Sequence, residues 1–182
     1  MRKLLAVAAL SLSSVVGAAP VFSLTSPTLN PNKPLPNAQV FQGFGCTGDN
    51  ISPALNWQHA PKGTKSFALT VYDPDAPTGS GWWHWVVYNL PANTQGLAEH
   101  AGTADGKLLP AGAVQGRTDY GSVGFGGACP PVGDPAHRYQ LTVYALDVDQ
   151  LDLPADASAA LIGYMIHQHQ IGKAQLVVKY GR

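Results

Sequence analysis

Residues 66–90 run Ser66-Phe67-Ala68-Leu69-Thr70-Val71-Tyr72, then Asp73-Pro74-Asp75-Ala76-Pro77-Thr78-Gly79-Ser80-Gly81, then Trp82-Trp83-His84-Trp85-Val86-Val87-Tyr88-Asn89-Leu90. Phe67, Leu69 and Val71 alternate with Ala68, Thr70 and Tyr72, the two-residue period of a strand, and Trp83 to Leu90 reads the same way. The Pro- and Gly-rich stretch between them is a loop. If the two strands pair as a hairpin across it, Asp73 and His84 meet at one end of a sheet.

On either side of this segment, His137 to Asp147 also reads as a strand, with shorter ones around Leu55 to Gln58 and at Ala174 to Tyr180. One helix is predicted from Asp156 or Ser158 to Ile171, opening on polar capping residues and ending before Gly172. Short strands separated by turn signals predict a mainly β domain, an antiparallel β-sandwich with one or two peripheral helices. A parallel α/β sheet would need more helices than the chain supplies.

Composition agrees. Of 182 residues 45% are hydrophobic, enough for one core, and 20 Gly and 15 Pro argue for loops and against a helical bundle. Charged residues make up 12%, with 11 Lys and Arg against 11 Asp and Glu, so no positive excess exists to attract nucleic acid or an anionic membrane. No repeat, charge block or low-complexity linker divides the chain.

Arg2 and Lys3 precede an apolar run from Leu4 to Val16 and then Gly17-Ala18-Ala19-Pro20, the layout of a secretory signal peptide over residues 1–18, with cleavage after Ala18. A buried N-terminal helix is the blander reading of the same run. A single domain over residues 19–182 follows, with no transmembrane segment. No Cys near the junction offers a lipid anchor. Export to the periplasm or beyond places Cys46 and Cys129 in an oxidising compartment, where a disulfide between them is expected. Two buried thiols, or a reactive Cys129, are the alternatives.

A second Pro/Gly loop, Gly126-Gly127-Ala128-Cys129-Pro130-Pro131-Val132-Gly133-Asp134-Pro135-Ala136, leads into His137-Arg138-Tyr139, and alternation puts His137 and Tyr139 on one face with Arg138 on the other. Two rigid loops, each delivering a His to a strand start, read as walls of a pocket. Imidazole N–H groups donate to anionic oxygens, Asp73 orients an imidazole or accepts a proton, and Trp and Tyr supply apolar sides. Either His alone would read as a structural hydrogen-bonder.

Both segments resemble the two signatures of the phosphatidylethanolamine-binding protein family, also called Raf kinase inhibitor-like proteins. Asp73-Pro74-Asp75-Ala76-Pro77 with Trp83-His84 is similar to the first, and Pro130-Pro131-x-Gly133 leading to His137-Arg138-Tyr139 to the second, with Asn50-Ile51-Ser52-Pro53 and Trp57 upstream. The run Thr78 to Trp85 resembles the bacterial branch. The resemblance implies a Greek-key β-sandwich whose pocket receives phosphate-like anions and, in eukaryotic relatives, the phosphoethanolamine head group. Carried across by motif, Asp73, His84, Pro130, His137 and Tyr139 are pocket residues, Pro77 lines the mouth, Trp83 is a wall, and Asp75 braces the loop. Arg117 and Asp119, in a loop that also resembles the family, are expected to form a bracing ion pair. Cys129 and Ala128 stand where eukaryotic members carry other small residues, so a disulfide would shape the rim. The chain stops at Arg182, without the C-terminal helical extension that borders the pocket in animal relatives, and an exported protein would not meet a cytoplasmic kinase.

The expected function is therefore an exported, non-catalytic binding protein for a small anionic or phosphorylated ligand, without cofactor or metal, and a homodimer by analogy with bacterial members. One alternative is a weak acid-base or metal-dependent hydrolase. Neither Gly-x-Ser-x-Gly nor His-Glu-x-x-His occurs, His167 and His169 point to different helix faces, and His59 and His100 lack metal spacing. The other alternative is an interaction module, a protease inhibitor or folding helper, with Trp82, Trp83 and Trp85 as an exposed patch, although Trp85 has the apolar neighbours of a core residue.

Overall fold

The computed structural model describes residues 20–182; the leader expected over residues 1–18 lies outside them. The elements in chain order are β1 (Ser23–Thr25), a 3-10 turn (Asn37–Gln39), β2 (Gln42–Gly43), β3 (Cys46–Thr47), β4 (Leu55–Gln58), β5 (Ser66–Asp73), β6 (Trp82–Pro91), β7 (Gly96–Leu97), β8 (Val114–Gln115), β9 (His137–Leu146), α1 (Ala159–His169) and β10 (Gln170–Tyr180). The fold is mainly β with one α-helix among the described residues. All strand pairs are antiparallel: a five-stranded sheet in the order β10-β9-β5-β6-β8, a three-stranded sheet β1-β4-β7, and the small β2-β3 pair.

The alternation in β5 sorts its side chains between two cores. Phe67, Leu69 and Val71 pack with Leu24, Leu55, Trp57 and Leu97 of the small sheet and with Trp85, Leu141 and Val143 of their own. Ala68 faces the other way, into a second cluster with Val86, Tyr88 and the helix residues Ile162 and Ile166. Covered by a sheet on one face and α1 on the other, β5 has seven of its eight residues buried. Trp85 is fully buried, and Trp82 and Trp83 are mostly buried, so the three Trp form no exposed patch.

The helix opens as expected, with Ser158 Oγ accepting from the Leu161 N–H at 3.1 Å. Its end differs. α1 stops at His169 and passes straight into β10, and Gly172 lies at a register shift of the β9–β10 ladder rather than at a helix cap. The close approach of Pro61, whose Cγ would lie 2.6 Å from a Cβ at this position, accounts for the glycine.

Cys46 and Cys129 are bridged, with Cα atoms 6.0 Å apart, tying the β2–β3 hairpin to the loop before β9. No helix of the described residues is long and apolar enough to cross a membrane.

Candidate functional site

Antiparallel pairing brings the end of β5 and the starts of β6 and β9 to one end of the large sheet. There the Asp73 carboxylate is buried and bonded on both oxygens: Oδ1 accepts from the Asp75 backbone N–H at 2.8 Å and Oδ2 from His137 Nδ1 at 2.7 Å. The other ring nitrogen of His137 lies 3.4 Å from Asp134 Oδ2. An aspartate at the last position of β5 thus anchors its own loop and orients the first side chain of β9.

His84 is positioned by a bulge. Val71 pairs with Trp85 and Tyr72 with Trp83, which leaves His84 as the extra residue of β6. Its Nδ1 lies 2.8 Å from Gly126 O and 3.1 Å from Gly127 O, and since carbonyls only accept, Nδ1 carries the proton. Asn50 holds this glycine strap, accepting from Gly127 N–H at 2.7 Å and donating to Phe125 O at 3.2 Å, and Tyr120 O–H donates to Gly127 O at 2.8 Å. Side chains would not fit on the strap: a Cβ at Gly126 would run into the Tyr120 ring and one at Gly127 into the Gln39 backbone. Burial lowers the pKa of His84 and so favours the neutral ring. Its remaining nitrogen, Nε2, is buried and has no partner among the described residues.

A cavity of about 220 Å³ lies among these groups, lined by Asp73, His84, His137 and Tyr139 and walled by Pro77, Trp82, Tyr120, Pro130, Pro131 and Phe44. The Tyr139 hydroxyl and Trp82 Nε1 are buried without partners as well. Burial, aided by the Asp73 charge, raises the pKa of the Tyr139 and Tyr120 phenols, so both stay protonated. Tyr120 also stacks on Phe41 at 4.1 Å between centroids. A larger groove of about 520 Å³ between α1 and the sheet carries Tyr72, Trp83 and Tyr144 but none of the buried Asp and His residues. No group of three or more His, Cys, Asp or Glu side chains among the described residues forms a candidate metal centre.

Asp73, His84, Pro130, His137, Tyr139 and Pro77 therefore converge as the motifs suggest. Trp83 does not join them. Paired with Tyr72, its ring turns to the helix side and packs 4.6 Å from the Tyr72 ring, and Trp82, paired with Asp73, forms the wall instead. The expected ion pair of Arg117 with Asp119 is also absent. Asp119 pairs with the Trp83 backbone instead, its Oδ2 accepting from the Trp83 N–H at 2.8 Å and its own N–H donating to the Trp83 carbonyl at 3.1 Å. Sequence reasoning missed Asn50, Tyr120, Trp82 and Phe44 as builders of the site, although Asn50 and Tyr120 stand in stretches that resemble the family.

Asp75 braces its loop through Arg138, with Arg138 Nη2 2.6 Å from Oδ1, Nε 2.9 Å from Oδ2 and the Arg138 backbone N–H 2.8 Å from Oδ2. These bonds hold the Asp75 carboxyl at about 2, below its ordinary 3.8. A carboxyl whose pKa is lower in the folded state stabilises the fold above its unfolded value and loses that contribution as pH falls through the folded one. The Tm difference between the natural protein and Arg138→Gln is therefore expected to hold steady from neutral pH to about 4 and to close towards about pH 2; a gap unchanged at pH 2 would refute the assignment. The C-terminal Arg182 fastens the opposite wall, donating to Pro130 O at 2.7 Å and Gly45 O at 2.8 Å.

Residues 25–181 match the profile of the phosphatidylethanolamine-binding protein family. The chain belongs to this family. Among phosphatidylethanolamine-binding protein relatives, it is 48% identical over 180 residues to the UPF0098 protein YbcL of Escherichia coli, covering 99% of this chain and 98% of that protein. It is 49% identical over 157 residues to the UPF0098 protein YbhB of the same organism, covering 86% and 98%. The crystal structure of E. coli YbcL, described as a new member of the mammalian PEBP family, superposes with a TM-score of 0.87 at 52% identity, over 88% of this chain and 98% of that one. A PEBP homologue from Chlamydia trachomatis superposes with a TM-score of 0.72 at 33% identity, over 88% and 97%.

Proposed function

We propose that this protein is an exported, non-catalytic binding protein whose pocket, between His84 and His137 at one end of a Greek-key β-sandwich, receives a small anionic or phosphorylated group. The observation that carries this reading is the set of buried, unpartnered polar atoms around the cavity: His84 Nε2, the Tyr139 hydroxyl and Trp82 Nε1. Each such group costs about 1–3 kcal/mol while unsatisfied, which a ligand completing the set recovers. Tyr139 O–H and Trp82 N–H are donors suited to an oxyanion, and about 220 Å³ suits a head group rather than a whole lipid. Of the Cys and Thr side chains lining the cavity, Cys129 is tied up in a disulfide and the Thr78 hydroxyl is bonded to the Gly81 carbonyl. The disulfide and the apolar leader support export.

Calorimetric titration of the mature protein with phosphate, phosphoethanolamine and acetate is the direct test. His84→Ala and His137→Ala are each expected to weaken binding by about ten-fold or more while the fold persists. Unchanged affinity in both variants would remove the site, and turnover in a phosphatase and esterase panel would overturn the non-catalytic reading.

A further inference from the structure

We infer that the pocket selects oxyanions that still carry a proton, the monoanion of a phosphomonoester being the class it fits, and that His84 sets this selectivity. The inference rests on the reading of the pocket as a site for phosphorylated groups and adds which form enters. His84 Nδ1 is committed to the Gly126 and Gly127 carbonyls, so the only ring nitrogen left for a ligand is Nε2, an acceptor in that tautomer. Asp73 is an acceptor too, with both oxygens already engaged. None of the described residues lining the cavity is Lys or Arg.

The groups facing His84 are Asp73 from β5, Tyr139 and His137 from β9, and Asp119 and Tyr120 from the loop after β8; the phenols stay protonated through burial. A fully deprotonated dianion in this cavity meets the His84 lone pair and the Asp73 carboxylate with no Lys or Arg in the lining, and the two ring nitrogens of His137 already face Asp73 and Asp134. An oxyanion with one O–H donates it as a hydrogen bond to Nε2, keeping the proton, while its other oxygens accept from Tyr139 and Trp82. Phosphomonoesters lose their second proton near pH 6. A phosphodiester, the form found in a phospholipid head group, has no O–H at all. The geometry therefore favours phosphomonoesters over phosphodiester head groups.

Methyl phosphate and dimethyl phosphate test this by calorimetry, because at about pH 5 both carry a single negative charge and only the first has an O–H. Methyl phosphate is expected to bind about ten-fold or more tightly than dimethyl phosphate at that pH, and the preference is expected to vanish at about pH 8, where methyl phosphate is a dianion and dimethyl phosphate is unchanged. His84→Asn keeps a donor for the glycine carbonyls but has no second ring nitrogen, so its preference at about pH 5 is expected to fall within about two-fold. Equal binding of the two esters by the natural protein would overturn the selectivity and leave the anion site standing. A preference kept at about pH 8 would make it steric rather than proton-dependent, and one kept in His84→Asn would remove it from His84. Binding of neither ester would overturn the anion site and the selectivity together.

Discussion

Replacing Cys46 and Cys129 together by Ala is expected to lower the stability of the fold by about 4 kcal/mol, a fall in Tm on the order of 10 °C. The bridge closes a sequence separation of 83 residues, and its removal restores that freedom to the unfolded chain. The site should suffer as well. Cys129 lines the cavity, and Cys46 ends the hairpin that carries the Phe44 wall. Phe44 is 71% exposed and sits at a φ of 52°, between Gly43 and Gly45, which also have positive φ. Besides the bridge, it is held by ring contacts with Phe41 and Tyr120 and by Arg182 on the Phe44 and Gly45 carbonyls. Urea denaturation of the two forms measures the stability, and thiol titration of the unfolded natural protein without reductant should find no free Cys. A stability change under about 1 kcal/mol would show that the bridge does not restrain the unfolded chain as argued.

Asp73→Ala is expected to cost about 3 kcal/mol and to abolish phosphate binding. The carboxylate is buried against His137 and the Asp75 amide, so its loss leaves two buried donors unsatisfied at once. Asp73→Asn should recover only part of the loss, since an amide has one oxygen where both carboxylate oxygens accept. A double-mutant cycle with His137→Ala isolates the pair: a coupling above about 1 kcal/mol is expected, and additive effects would show that Asp73 and His137 do not act together.

The core of this site was legible because its members are local. Asp73 ends a strongly alternating strand, His84 and His137 open two others, and hairpin pairing needs no further information to bring strand ends together. The strand expected around Leu55 to Gln58 is β4, and the other main strands lie within a few positions of their expected bounds. Trp83 lies elsewhere because adjacency to His84 ignores strand alternation, which sends the Trp82 ring to the cavity and the Trp83 ring to the helix side. The ion pair of Arg117 with Asp119 failed because proximity in sequence says nothing of a strand that arrives from elsewhere and takes the carboxylate. Gly172 resembled a helix stop, since a glycine required by a neighbouring proline ring looks the same in sequence as one required by a cap.

By itself, then, the sequence determined the strand alternation, the two loops, the His and Asp residues at their ends and the family to which they belong. These depend on a residue and its near neighbours. Tertiary structure alone decided which nitrogen of His84 is free, because that depends on carbonyls of Gly126 and Gly127 held by Asn50 and Tyr120. Hydrogen-bond direction in a buried site is set by every group packed around it, and those groups come from distant parts of the chain.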